Sequence, residues 1–207
     1  MSPRVTLPFR GTLEGEVVDL DPLSPYDVPA LLAIAQAAPS EYDLTSTPRD
    51  AAEAEAYFGE ALAEVAAGTA HVVTVRDKAG AVVGTSRVRA YDSRHARCEL
   101  GYTWYHPRAF RTAVNTECKL LLLRFAFEDL GVNRVQIQTD ARNLRSQRAI
   151  AALGAELEGV LRRHMIAKDG YVRDSVVYAI TDVTWPSVRL RLEERLAARL
   201  ARQAAAG

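Results

Sequence analysis

Residues 99–123 read ELGYTWYHPRAFRTAVNTECKLLLL, and the fold turns on how this stretch is parsed. Leu100, Tyr102 and Trp104 recur at period two, which predicts a strand with one buried face. His106-Pro107 predicts a turn. From Thr116 onward, Leu120, Leu121, Leu123, Phe125 and Phe127 require a helix pressed into a core. Between strand and helix, Arg111, Thr112, Ala113, Val114, Asn115 and Thr116 are mostly small or polar. A helix start leaves about four amide donors free and carries roughly half a positive charge. Such a start suits a phosphate or pyrophosphate. An ordinary cap made by Asn115 or Thr116 would account for the same residues.

Working outward from this stretch, Gly131-Val132-Asn133 predicts a helix end, and Val135, Ile137 and Thr139 a strand. Ser146–Leu153 reads as a helix with Ala149, Ile150 and Leu153 inward. Leu157–Met165 and Val172–Ile180 form a hairpin about Lys168-Asp169-Gly170. Trp185-Pro186 opens a last helix with Val188, Leu192, Leu196 and Leu200 at period four, packed on its own domain or on a second subunit.

Toward the amino end, three strands (71–76, 82–91 and 97–104) form an antiparallel meander, with Gly84 a candidate bulge. Two helices precede them. One opens at Tyr26-Asp27 and stops at Pro39, with Leu31, Leu32, Ile34 and Ala35 as its apolar stripe. The other opens at Thr47-Pro48-Arg49-Asp50, with Tyr57, Phe58, Ala61, Leu62 and Val65 recurring at three and four. Residues 40–46 form a polar loop near one mouth of the sheet. Gly15–Leu20 is a first strand, and residues 1–14 an arm. The expectation is a single α+β domain over 1–207 ending in a helix at 184–203.

Charge is balanced, 26 basic against 26 acidic residues, so nothing draws the whole chain to nucleic acid or an anionic membrane. No apolar run has the length of a membrane span or of a secretory leader, which makes a reduced cytoplasm the expected setting. Cys98 and Cys118 are the only cysteines. They read as buried thiols, and a metal site lacks ligands.

Element order and four stretches together resemble the GNAT superfamily of acetyl-CoA-dependent N-acetyltransferases, nearest its RimJ/RimL branch. The stretches are ELGYTW, FRTAVNTECKLLLLRFAFEDLG, TDARNLRSQRAIAALGAELEGVLRRHM and GYVRDSVVYAITDVTWPSV, which together cover almost all of 99–188. The resemblance implies a mixed, mostly antiparallel sheet whose fourth and fifth strands splay apart. The pantetheine arm of acetyl-CoA would then lie against the backbone of Tyr102, Thr103 and Trp104. Its pyrophosphate would sit on 111–116. This loop departs from the family's Q/R-x-x-G-x-G/A pattern, with Phe110, Ala113 and Asn115 at the three marked positions. Alanine fits there if its dihedrals are helical. The Asn143-x-x-Ser146 pair implies an Asn bonded to pantetheine and a Ser near the cofactor sulfur, and Arg148 one turn on could reach a phosphate. Where many members carry a tyrosine that protonates the leaving thiolate, this chain has Ile150.

For catalysis, Glu99 is the first candidate base, because it lies on the central strand near the expected cleft. His164 and Asp174, on the hairpin strands, are candidates for the substrate mouth. The ribosomal N-terminal enzymes carry a glutamate seven residues beyond the Glu of L-E-G, and Met165 holds that place here. A water relay is an equal candidate for the base. The expected activity is acetyl transfer to a primary amine by direct attack, with no metal, and with a homodimer possible. An acyl-CoA-binding module without catalysis is the alternative, favoured by the altered loop and by Ile150.

Overall fold

The computed structural model describes residues 11–205; the first ten residues of the expected arm lie outside them. One eight-stranded sheet is built from β1 (Leu13–Glu14), β2 (Val18–Pro22), β3 (His71–Asp77), β4 (Val82–Asp92), β5 (Arg97–Tyr105), β6 (Arg134–Asp140), β7 (Glu156–Ile166) and β8 (Val172–Thr181). Their order across the sheet is β1-β2-β3-β4-β5-β6-β8-β7. Every pairing is antiparallel except β5 with β6. Helices α1 (Val28–Ala37), α2 (Ala51–Ala66), α3 (Val114–Arg124), α4 (Leu144–Ala151) and α5 (Trp185–Ala204) complete the α+β fold. Among the described residues no helix is long and apolar enough to cross a membrane, and no group of three potential metal ligands forms.

Two apolar cores lie on opposite faces of the sheet, and strand parity sorts residues between them. Val73 and Val75 of β3 join α3 and α5 in one core. Val72 joins Leu31, Ile34, Phe58 and Ala61 of α1 and α2 in the other. Helix α5 packs on its own domain, with Val188, Leu192 and Leu196 buried and Leu200 packed beside them. A single π turn at Phe125–Asp129 extends α3 and lets Phe125, Ala126 and Phe127 all turn inward.

Several sequence expectations are corrected. Helix α3 begins at Val114 rather than Thr116, and neither Asn115 nor Thr116 caps it. Helix α2 is capped by Asp50, which accepts from Glu53 N at 2.8 Å, not by Thr47. An acid with a free carboxylate at the head of a helix outcompetes a threonine three residues upstream. Ala149 is exposed on α4, where Ile150 and Leu153 face inward.

The largest correction concerns β5. Leu100 and Trp104 share a parity, yet Leu100 lies in the α3 core and Trp104 in the α1–α2 core. The cause is a bulge. Thr85 pairs with Trp104 and Arg87 with Gly101, so Ser86 alone opposes Tyr102 and Thr103. Tyr102 takes φ +52°, and the extra residue reverses the facing of everything beyond it. The bulge expected at Gly84 is also present, against Val75 and Arg76 of β3. There a Cβ would stand 2.4 Å from the Trp104 carbonyl oxygen, so glycine is required.

Candidate active site

Strands β5 and β6 run side by side over three residue pairs only, ending at Glu99 with Gln136. Beyond that point β5 stays with β4 while β6 follows β8 through Asp140. A fork opens between them at their carboxyl ends. Such gaps in a sheet, at the strand ends where the chain changes direction, are natural ligand sites.

Glu99 stands at the apex of the fork. Its Oε1 accepts from Gln138 Nε2 across the gap at 3.2 Å and lies 3.5 Å from the place a Cβ of Gly101 would occupy. Gln138, which sequence reasoning did not single out, has a buried Oε1 with no partner. A buried acceptor left empty is costly, so this atom is suited to a donor entering the gap. Period two along β6 placed Gln136 and Gln138 on one face, a signal that marks neither as functional without the fork.

On the opposite prong the bulge is held firmly. Guanidinium groups of Arg87 and Arg89 lie over the Tyr102 ring at 4.6 and 4.9 Å, and Arg89 Nη1 donates to its hydroxyl at 3.0 Å. Thr103 Oγ1 turns toward α3, where it meets Ser86 Oγ at 2.7 Å and the ammonium of Lys119. Trp104 Nε1 donates to Tyr57 Oη on the other face. The side chains of Tyr102, Thr103 and Trp104 are thus all engaged, and what the gap meets is their backbone.

At the head of α3, Ala113 is the N-cap with φ −72° and ψ −18°, helical as an alanine requires there, and no side chain caps the helix. Val114 N reaches Thr112 Oγ1 at 3.3 Å. The amides of Ala113, Asn115 and Thr116 have no partner among the described residues. Arg111 bears the strain of the loop at φ +64°. Arg199 of α5 donates to the Thr112 carbonyl and brings a half-buried cation beside the loop. Burial, with Arg195 and Arg202 nearby, lowers its pKa from the usual arginine range. Only the structure reveals this contribution of the last helix, whose period-four leucines had marked it as packing alone.

Asn143 caps α4, its Oδ1 accepting from Ser146 N at 2.9 Å, and this leaves its Nδ2 without a partner among the described residues. The Ser146 hydroxyl and the guanidinium of the exposed Arg148 likewise carry no bond among the described residues.

Residues 39–47 cross the mouth of the fork as a strap fastened at three points. Tyr42 Oη donates to the Tyr105 carbonyl at 2.6 Å, Arg145 of α4 pairs with Glu41, and Lys168 Nζ donates to the Thr47 carbonyl at 2.8 Å. Burial and the neighbouring Glu41 push the Tyr42 hydroxyl up to about 12, so it stays protonated and keeps donating. Beneath the strap lies a small cleft of about 80 Å³, open to solvent and lined by Asp43–Ser46, Asp140, Met165–Lys168 and Arg173.

His164 and Asp174 do not line this cleft. Met165 and Arg173, paired across the hairpin, do. The strand is bulged between Leu161 and Met165, with Arg163 at φ +52°. Asp174 Oδ1 accepts from the Arg163 amide at 2.7 Å, and His164 Nδ1 meets Ser175 Oγ at 3.0 Å. Both residues are thus engaged within the hairpin. Met165 brings only apolar surface to the cleft, so no carboxylate replaces the glutamate of the ribosomal enzymes there. The two thiols are free and buried, and burial pushes Cys98 up to about 12 and raises Cys118 as well, which leaves neither reactive.

Comparison with known proteins agrees with this geometry. Residues 18–156 match the family model of the acetyltransferase (GNAT) domain. A Bacillus subtilis (strain 168) protein, the uncharacterized N-acetyltransferase YoaA, is 30% identical over 99 residues, which are 48% of this chain and 55% of that protein. The chain thus spans about half the length of this curated relative. Among solved structures, a T. thermophilus protein described as an acetyltransferase superposes with a TM-score of 0.79 at 38% identity, over 91% of this chain and 98% of that one. A GCN5-related N-acetyltransferase from Brucella melitensis gives 0.80 at 26% identity, over 92% and 87%. Mycobacterium smegmatis RimJ, solved with CoA-disulfide, shares the fold at 0.75 and 21% identity, over 91% and 92%. A forked sheet, an uncapped helix head at its foot and a family match over most of the chain together show that this protein belongs to the GNAT acetyltransferases.

Proposed function

We propose that the protein moves the acetyl group of acetyl-CoA to a primary amine, with the amine attacking the carbonyl carbon directly. The observation that carries this reading is the fork with an orphaned acceptor in its wall and unpaired amides at its foot. The amides of Ala113, Asn115 and Thr116, with Arg111 and Arg199 beside them, would hold the diphosphate. Backbone groups of Tyr102 and Thr103, freed by the bulge, and of Trp104 on the edge of β5 that has left β6, would meet the pantetheine arm as an added strand would, and Gln138 Oε1 and Asn143 Nδ2 would bond its amides. Acetyl-CoA supplies an activated acyl group and a thiolate leaving group. The chain supplies position, which is the larger contribution when the nucleophile is already partly neutral. A free α-amine titrates near pH 8, so a base helps by a moderate factor.

Glu99, at the apex and bridged to Gln138, is the proposed base, directly or through a water. Ser146 is the hydroxyl proposed nearest the sulfur. The RimJ/RimL-like placement rests on the Asn143-x-x-Ser146 pair together with the shared fold, and it makes a protein N-terminus one acceptor among primary amines.

Asn115→Asp tests the diphosphate seat. A carboxylate at the head of α3 is favourable for the helix itself but repels a diphosphate. Calorimetry should find CoA bound roughly tenfold or more weakly, a loss of about 1.4 kcal/mol, with the melting temperature unchanged or raised. Unchanged CoA affinity would place the diphosphate elsewhere. Glu99→Gln is expected to lower kcat by about 10- to 100-fold and to leave a pH profile set by the amine alone. Wild-type turnover at every pH would remove Glu99 as the base.

A further inference from the structure

The cleft under the strap carries a charge arrangement that says what kind of amine fits it, provided the reading of the fork above is right. Four ionic side chains line it, and two of them are already neutralised. Lys168 Nζ is held by Glu53 Oε2 at 2.7 Å as well as by the Thr47 carbonyl. Asp140, nearly fully buried, takes Arg142 N at 2.8 Å and Arg142 Nη2 at 2.7 Å. The other two make no close ion pair, although Arg173 lies near enough to Asp140 to help hold its carboxyl below the usual range. Asp43 has only Arg49, at 3.9 Å, on a well-exposed pair. Arg173 donates Nε to Ser175 Oγ at 3.1 Å, and neither of its Nη atoms has a partner among the described residues.

The Ser175 contact aims Arg173. Ser175 is fully buried and is also held by His164, so the guanidinium of Arg173, which lines the cleft, is fixed at its Nε edge. A planar guanidinium with two free donors in fixed geometry is built for a two-oxygen anion. A phosphate dianion would meet the carboxylates of Asp43 and Asp140 in the same wall. A monoanion joined to a cationic nitrogen matches a cleft that offers one cation and one anion without a close ionic partner.

We infer that the acceptor is a primary amine that also bears a carboxylate, gripped by Arg173 while Asp43 draws in the ammonium end before it sheds its proton. The carboxylate can be the α-carboxylate of a free amino acid or an acidic side chain at a peptide N-terminus. Both present the same group to the same guanidinium.

The test measures kcat/KM with acetyl-CoA for matched acceptors: L-amino acids against their α-carboxamides, and peptide amides beginning with Asp or Glu against those beginning with Asn or Gln. The wild-type enzyme should favour the carboxylate member of at least one pair by tenfold or more, chiefly through KM, and the pair that responds identifies the source. Arg173→Gln should shrink that preference to within about twofold, and Arg173→Lys, which keeps charge but loses the two-pronged donor, should leave an intermediate preference. Wild-type enzyme that acetylates carboxamides or plain alkylamines as well as the carboxylates overturns the inference and leaves the acetyltransferase reading standing. Enzyme that binds acetyl-CoA yet acetylates no amine overturns both.

Discussion

Glu117→Ala is expected to destabilise the protein by on the order of 3 kcal/mol or more, the largest loss of any single substitution considered. Glu117 is buried on the first turn of α3, and its carboxylate accepts from the amides of Glu16 at 2.7 Å, Val17 at 2.7 Å and Val18 at 2.8 Å. A chain segment a hundred positions away is thereby folded around one side chain. Gly15 makes the fit possible, since a Cβ there would stand 2.5 Å from the carboxyl carbon. Truncation strands three donors at once, and each buried donor without an acceptor costs about 1–3 kcal/mol, less where water can replace it. Water can reach Glu16 but not Val18, which is fully buried. Urea unfolding measures the loss. Glu117→Gln should recover only part of it, because one of its two polar atoms is a donor facing donors. A midpoint equal to wild type for the alanine variant would show that the turn is held by β-pairing alone.

Lys119→Met should act in the opposite direction. Lys119 lies under the β5 bulge, buried, its ammonium held among the described residues only by the hydroxyls of Ser86 and Thr103, and burial lowers its pKa to about 8. In the unfolded chain a lysine titrates near 10.4. Below pH 8 both states hold the proton, and the folded state bears the full penalty of a buried charge. Between about 8 and 10 the unfolded chain keeps a proton that the native protein has released, so this group's contribution to stability rises with pH. At pH 7 the methionine variant should therefore be more stable by roughly 2–3 kcal/mol, and the advantage should vanish near pH 10. Ser86 and Thr103 lose little, because they already bond each other at 2.7 Å. Melts at the two pH values provide the measurement. A difference that is the same at both would mean that Lys119 does not change its protonation affinity on folding.

Hydrophobic period made most of this fold readable. The leucines and phenylalanines of α3, the period-four row of α5 and the alternating valines of β3 each have one physical solution, and the structure adopts it. What period cannot show is a break in period. The β5 bulge preserves the apolar alternation Leu100, Tyr102, Trp104 on paper while turning Trp104 to the other face. On β7 two surplus residues fall between Leu161 and Met165, and His164 and Asp174 sit one place away from Met165 and Arg173, which line the cleft under the strap. The helix head was legible as a choice between an anion seat and a cap. Only coordinates show that no side chain caps it, because capping depends on whether a side chain turns back toward the amides. Gln138 and Arg199 were unmarked because each draws its meaning from a partner distant in sequence, or from the lack of one.

The gap between β5 and β6 is a matter of counting as much as of chemistry. One residue more on β5 than on β4 swings the backbone of Tyr102 and Thr103 out of the ladder, and any amino acid that tolerates a left-handed backbone can occupy that place. Exchanging side chains along this strand leaves the surplus intact. Removing a single residue would restore an even tally and close the bulge, drawing the one residue left between Gly101 and Trp104 back into the ladder opposite Ser86 while Trp104 keeps its pairing with Thr85 and its face. Drift in composition is therefore tolerated along this prong in a way that drift in length is not.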